Sequence, residues 1–373
     1  MEFKIRKKNI LRGLTKIQGI TGKKTNIPIT CNVIISAKKS CVSILATDLQ
    51  IAFQGDYESE VMDEGSAAVP SRKLYEIIRE FPSDLIVVKD LENKWIQILD
   101  NKVQYNIVGM ETGDFPSMPN IDGVELFELN ADVFRNMIEK TIYAVVDDEG
   151  RAHLAGVYFE TISEGDEKKM RMVSTDGHRL SKIDQIIEKK NRNDLTIEAG
   201  VIVPKSGMVE ILRLLEGGNK VFIGFKDKNL IVKKDNEVLT IRLIDGEFPD
   251  YNLVIPNKTQ SELRVDRQLF LMMLKRMSIL CSDKYRGVRL KIDKEQMESK
   301  SINPEIGESR EVVPVNFNGN KLEVAFNPRY LTEALNTMNS HEVIIGFNDE
   351  INPCVVEGGS DPGFLGVVMP MRI

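Results

Sequence analysis

The sequence is poor in the residues that usually announce chemistry. Its 373 residues include three histidines, four cysteines and one tryptophan, and aromatic residues make up only 6%. Cys31, Cys41, Cys281 and Cys354 are scattered without Cys-x-x-Cys spacing. That excludes a zinc ribbon or a disulfide framework and points to reduced thiols in a cytoplasmic protein. No Walker A loop, no GxGxxG after a strand, no HExxH and no GxSxG is present, so no cofactor or metal is expected. No apolar run is long enough to span a membrane, and the opening MEFKIRKKN has no apolar stretch behind it, which argues against a secretory signal. The few aromatics form no aromatic-basic stripe, so recognition of single strands by base stacking is not expected. A net charge of −6 argues against a protein that clings to DNA by phosphate neutralisation alone.

What the chain does have is repetition. AAVPSRKLYEIIREF (Ala67–Phe81), VIVPKSGMVEILRLLE (Val201–Glu216) and EVAFNPRYLTEALNTM (Glu323–Met338) each read as a short apolar strand, a proline and an amphipathic helix. Pro70, Pro204 and Pro328 lie 134 and 124 residues apart. Proline suits the turn into a helix, since its fixed φ is helical and its missing N–H would be unpaired there anyway. A second element, strand then helix, keeps the same beat at Phe3–Ile20, Phe127–Val145 and Leu263–Leu280. β-Meanders follow at Leu85–Gly109, Val221–Ile244 and Glu342–Met369. Three elements in one order at one period indicate triplication.

The repeat divides the chain into three domains of ordinary size, 1–125, 126–256 and 257–373, in an α+β class with two helices per domain against antiparallel sheets. Six helices are expected at 6–20, 71–81, 131–143, 205–216, 266–280 and 328–339. Together they hold 16 Lys/Arg against 8 Asp/Glu, so the remainder of the chain is strongly acidic. If the helices share a face, that face is basic; the alternative is ordinary solvated helix surfaces. Ser117–Glu125 reads as a linker. Ser301–Pro314, with Glu305, Glu308 and Glu311, reads as an exposed loop. The apolar ending VVMPMRI suggests docking into a pocket or against a sheet edge.

Thr175–Arg179, TDGHR, has a carboxylate and a histidine two apart, the ingredients of acid–base catalysis. Asp-Gly is also a turn dipeptide, and His153 and His341 stand isolated, so a structural turn is the stronger reading. GGSDPGFLG (Gly358–Gly366) lies between strands and reads as a turn, not a phosphate loop.

With the triplication, TDGHRL in the middle repeat and VVMPMRI at the end, the chain resembles the bacterial β sliding clamps, processivity subunits of the replicative DNA polymerase III. FPDY (Phe248–Tyr251) and YRGVRL (Tyr285–Leu290) also match, and the resemblance covers the whole chain. It implies three clamp domains forming half of a ring, closed by a second copy around double-stranded DNA. It also implies tethering of the replicative polymerase, the clamp loader and other partners through short peptides, with no catalysis.

The resemblance places a peptide pocket at Leu154, Thr175, Gly177, His178, Arg179 and Leu180, with Pro249, Val254, Asn327, Tyr330, Ile351 and Pro353. It continues along Val367, Val368, Met369, Pro370, Met371 and Arg372. Leu180, Val254, Val367 and Met369 would form its floor, with His178 and Arg179 at its mouth. Lys24 and Arg151 fall where DNA-facing residues are usual, beside Arg6, Lys7, Lys8, Arg12 and Lys16 of the first helix. At the ring joint, Lys73, Lys102, Tyr105 and Ile107 would face Ile279, Leu280, Glu305, Glu308 and Glu311 of another copy. Gln104 and Gly307 stand where joint residues are often charged, implying less reliance on ion pairs there. Ala152 and His153 replace familiar aromatics. Two other readings remain at this stage: a non-ring scaffold or regulator on the same triplicated fold, and a hydrolase using Asp176 and His178.

Overall fold

A computed structural model describes residues 1–22, 27–146, 149–187, 197, 200–282 and 287–372. Two compact units are seen, Met1–Asp132 with Ser206–Leu243, and Val133–Lys205 with Ile244–Ile373. The helices among the described residues are α1 (Lys7–Lys16), α2 (Gln18–Thr21), α3 (Ser71–Glu80), α4 (Ala131–Ile142), α5 (Lys205–Leu214), α6 (Arg267–Met277) and α7 (Pro328–Thr337). None is long and apolar enough to cross a membrane. The four cysteines are free thiols.

The first unit is built on two antiparallel sheets. A five-stranded sheet runs, in spatial order, Glu60–Asp63, Glu2–Arg6, Leu85–Asp90, Trp95–Leu99 and Gln104–Val108. An eight-stranded sheet runs Phe127–Asn130, Lys220–Lys226, Asn229–Lys234, Glu237–Arg242, Ile51–Glu58, Cys41–Thr47, Asn32–Lys38 and Gly65–Pro70. It is two four-stranded halves from different repeats, fused where Leu239 stands opposite Phe53. Helices α1 and α3 pack on each other beside these sheets. Their apolar stripes, Ile10 and Leu14 on one and Leu74 and Ile78 on the other, are fully buried.

The second unit repeats the plan. Its nine-stranded sheet runs Val201–Pro204, Gly156–Glu164, Glu167–Thr175, Arg179–Ile186, Phe364–Val368, Cys354–Gly358, Glu342–Phe347, Ser261–Asp266 and Asn316–Phe317. The fusion point is Ser181 opposite Gly366. A four-stranded sheet runs Gly307–Pro314, Gln296–Asn303, Val288–Ile292 and Leu322–Phe326. Helices α6 and α7 pair as α1 and α3 do. Inside this unit Lys140 and Asp361 form a buried ion pair, and Asp361 also accepts from the N–H groups of Asn339 and Ser340 and from Ser340 Oγ.

Pro70 and Pro204 end the strands Gly65–Pro70 and Val201–Pro204, and the helices that follow begin at Ser71 and Lys205, as expected. Pro328 is itself a first helical residue, capped by Asn327 accepting from Arg329 N–H. Both proline-ended strands lie at sheet edges, where a missing ladder donor costs nothing. Ser301–Pro314 is not a loop but the turn and outer strand of a hairpin, with Ser301 opposite Ser309. Its charges hid the alternation: Val313 is buried, Ser309 and Glu311 are half-buried, and Glu308, Arg310 and Val312 between them are exposed.

Candidate functional site

The TDGHR segment folds as a tight turn between the strands Glu167–Thr175 and Arg179–Ile186. Gly177 takes a φ of 88°, in the left-handed region that favours glycine. Asp176 Oδ1 accepts from the N–H groups of His178 (2.9 Å) and Arg179 (3.1 Å), and Thr175 Oγ1 donates to the Arg179 carbonyl at 2.6 Å. These bonds spend Asp176 on the backbone rather than on His178, whose ring instead stacks on Tyr330 with centroids 6.2 Å apart.

Beneath the turn, Leu180, Val173, Val367 and Tyr251 form a buried apolar cluster, with Tyr158, Phe248, Ile255 and Leu365 packed against it. Beyond it, the chain's last strand ends and Pro370–Arg372 turn toward the edge strand Leu322–Phe326, where Met371 N–H donates to the Ala325 carbonyl at 2.7 Å. The apolar ending therefore docks on a sheet edge, as its composition suggests. A cavity of about 450 Å³ opens there, walled by Val324, Ala325, Ile351, Met369, Pro370 and Met371, with Arg289, Glu323, Glu350 and Arg372 around it. Ile351, 68% exposed, and Met369 present apolar surface to this open space, and Leu253, 83% exposed, and Val254 are exposed as well.

Of the expected pocket residues, the cavity brings together Ile351 and Met369–Arg372, while Leu180 and Val367 lie in the apolar cluster. Leu154 is buried and Pro249 exposed. Arg179 is a correction. It does not stand at the mouth but is buried, donating to Asp176 Oδ2, to Glu333 and to the Tyr143 carbonyl (2.7 Å), with Tyr330 over its guanidinium at 4.7 Å. Burial alone would raise the Glu333 carboxyl, but hydrogen bonds from Arg329 and Arg179 hold it below its ordinary value. Val368 is also core: it is buried and paired with both Arg179 and Cys354. Asn327 is occupied as the cap of α7. Sequence reasoning missed Arg289, Glu323, Val324, Ala325 and Glu350. Nothing local in Leu322–Phe326 marks it: Val324, Ala325 and Phe326 are all buried, and the strand becomes a wall only where the C-terminal segment docks beside it.

At the first helix, Arg6, the last residue of the strand leading into it, and Lys8 are exposed. Lys7 Nζ donates to the Phe81 carbonyl. Arg12 Nε lies 2.9 Å from Glu237 Oε1, and Lys16 Nζ 2.5 Å from Glu237 Oε2. Burial opposes the charge on Arg12, yet the neighbouring Glu237 and Asp235 raise its pKa above the ordinary value. Lys16 is the correction here: its side chain is only 11% exposed and neutralises a buried carboxylate instead of facing solvent. Arg151 is half-buried and donates to the Asp176 carbonyl at 3.0 Å. Lys24 lies outside the described residues.

At the expected joint, Tyr105 is exposed and its ring sits 6.3 Å from Phe81; Ile107 and Leu280 are half-buried and Ile279 is 76% exposed. The charged residues already have partners in the same chain: Lys73 with Glu76 (2.8 Å), Glu308 with Lys300 (2.9 Å) and Glu311 with Arg276. Lys102 and Glu305 are exposed.

Similarity to known proteins agrees with this geometry. The family models of the DNA polymerase III beta subunit match in order: the N-terminal domain at residues 1–119, the central domain at 128–250 and the C-terminal domain at 252–372. The beta sliding clamp of Haemophilus influenzae is 30% identical over the full length of both chains. The solved structure of Caulobacter crescentus pol III beta superposes with a TM-score of 0.92 at 30% identity, covering all of both chains. The DnaN sliding clamp of Bartonella birtlesii, bound to griselimycin, does so with 0.93 at 28%, again over both full lengths. The chain belongs to the DNA polymerase III beta subunit family, the non-catalytic DNA sliding clamps.

Proposed function

We propose that two copies of this chain join head to tail into a ring that encircles duplex DNA in the cytoplasm, slides without reading sequence, and tethers the replicative polymerase, the clamp loader and other partners. Its modules are 1–125, 126–256 and 257–373, so each copy forms half of the ring.

The observation that carries this reading is a pair of open sheet edges. Within each unit, the fourth strand of one repeat pairs with the last meander strand of the next: Ile51–Glu58 with Glu237–Arg242, and Arg179–Ile186 with Phe364–Val368. Two strands of the same kinds stand at sheet edges, Gln104–Val108 and Gly307–Pro314. Unpaired edges invite pairing, and joining unlike edges of identical chains gives a ring when the rotation closes. Tyr105 and Ile107 then meet Ile279 and Leu280, with Lys73, Lys102, Glu305, Glu308 and Glu311 around them.

DNA would be met by the exposed cations of α1 and its approach, Arg6, Lys8 and Arg12, together with Lys7, Lys24 and Arg151, which the family resemblance implies; such dispersed phosphate contacts hold without specifying bases. Partners would bind by short peptides whose aliphatic and aromatic anchors enter the groove of His178, Ile351, Met369 and Met371. The direct check is mass: light scattering at micromolar concentration should give twice the chain mass of 42.2 kDa, and a stable monomer there would defeat the ring.

A further inference from the structure

We infer that the joint between copies is sealed on its outer face by an apolar seam, Trp95 and Val108 of one copy against Ile306 of the other, with Ile302 beside it, and that the joining strands pair with Tyr105 opposite Ser309. The inference rests on the homodimer reading and deepens it by fixing the register.

The register follows from the ladders within the chain. Phe3, Phe127 and Leu263 each stand four residues before a helix. Crossing three ladders from each leads from Phe3 through Val88 and Ile98 to Tyr105. The same path leads from Phe127 through Ile223 and Val232 to Leu239. From Leu263 it passes Ile345 and Val356 to reach Gly366. Tyr105, Leu239 and Gly366 are therefore equivalent.

The other half of each repeat is aligned in the same way. Ala68, Ile202 and Ala325 each stand three residues before a helix. Ala68 leads through Ile34 and Leu45 to Gln54. Ile202 leads through Tyr158 and Val173 to Lys182. Ala325 leads through Arg289 and Lys300 to Arg310. At the two joints inside the chain, Gln54 stands opposite Val238 and Lys182 opposite Leu365, each the residue before Leu239 or Gly366. Carried to the open edges, Arg310 stands opposite Gln104, Ser309 opposite Tyr105, Glu308 opposite Asn106 and Gly307 opposite Ile107. A one-residue slip would turn every side chain of the strand to the wrong face.

One bond recurs at both internal joints just past these pairs. Arg242 N–H donates to the Gln50 carbonyl at 2.8 Å, and Met369 N–H donates to the His178 carbonyl at 2.9 Å. The equivalent donor and acceptor at the open edges are Val108 and Ile306. These residues are 56% and 65% exposed in the single chain. Trp95, directly opposite Val108 on the neighbouring strand, is 41% exposed, and Ile302 is 51% exposed. The register set by the ladders and helix starts lays large exposed apolar side chains of one edge on those of the other. Apolar burial explains how the joint holds although Lys73, Glu308 and Glu311 have partners within their own chain.

Two full-length variants test this. Asn106→Cys with Glu308→Cys, oxidised in the assembled protein, should give a disulfide-joined dimer on a non-reducing gel, since directly opposed strand residues meet the reach of a disulfide. Asn106→Cys with Arg310→Cys, two residues out of register, should not, and neither should the native chain. Ile306→Asp, in an exposed turn, should raise the dimer dissociation constant at least tenfold, whereas Ile306→Leu should leave it near the native value. A native dimer that cross-links only in the shifted pair, or whose dissociation ignores Ile306→Asp, overturns the seam and register while the homodimer stands. A native chain that is monomeric at micromolar concentration overturns the homodimer and the inference together.

Discussion

Lys16 Nζ lies 2.5 Å from Glu237 Oε2, in a chain where 221 residues separate them, and Glu237 is fully buried. Arg12 and Tyr57 complete the carboxylate's shell, Tyr57 donating to Oε1 at 2.9 Å. The first helix of repeat one is thereby locked to the last meander strand of repeat two. Glu237→Ala would strand Lys16 with no anion and leave Tyr57 without its acceptor. Breaking a buried pair by removing one partner costs about 3 to 5 kcal/mol, so the urea midpoint of this variant should drop clearly. An unchanged midpoint would mean that the cluster contributes nothing to holding the two repeats.

Asp361 supplies a pH signature. Burial by itself would raise its pKa, but hydrogen bonds from Lys140, Ser340 and the Asn339 and Ser340 N–H groups outweigh that and hold it below the ordinary carboxylate range. A depressed folded value means that the stabilisation is complete above the unfolded pKa of about 4, and is lost as the pH falls through the lower folded value. Asp361→Asn should therefore melt at a clearly lower temperature than the native chain near neutrality. The gap should close only below about pH 4. A gap independent of pH down to strong acid would assign the loss to shape rather than charge.

The C-terminal segment separates fold from partner binding. Because Val368 belongs to the sheet core, the informative deletion starts after Met369. Removing residues 370–373 takes away Pro370, Met371 and Arg372 from the cavity wall but only one described backbone bond to the edge strand. The truncated chain should keep its melting temperature within a few degrees. It should bind a polymerase-derived clamp peptide at least tenfold more weakly, since anchor contacts at interfaces are commonly worth ~2 kcal/mol. Equal peptide affinity, measured by fluorescence anisotropy, would place the groove elsewhere.

Arg179 gives a sharper distinction. It touches Asp176, Glu333 and the Tyr143 carbonyl, contacts that hold the turn and the Tyr330 ring in place. Arg179→Ala should lower stability by roughly 3 kcal/mol by orphaning partly buried carboxylates. A residue that merely faced the peptide would weaken binding with no thermal shift, and that outcome would reverse the assignment.

The triplication, the meanders and the turn at TDGHR were legible in the sequence because each is local: a period, an alternation, a turn dipeptide. The burial of Lys16 was not, since its partner Glu237 comes from a distant strand and a lysine on a helix face reads as solvated. Ser301–Pro314 looked like a loop because an edge strand wears charge on its outward face, and Glu308 and Arg310 mask the inward Ser309 and Val313. The wall of the cavity escaped notice for a related reason: Val324 and Ala325 read as ordinary strand residues until the C-terminal segment folds against them. The strand edges left open were the least visible, because pairing is a property of the assembled sheets.

The most direct test of the whole account is retention on DNA after loading onto a nicked circle. A closed ring with few phosphate contacts should stay on the circle through gel filtration at moderate salt and run off within minutes once a single restriction cut makes the DNA linear. Equal retention on circular and linear DNA, or release from both at the same salt, would contradict encirclement and leave only surface binding.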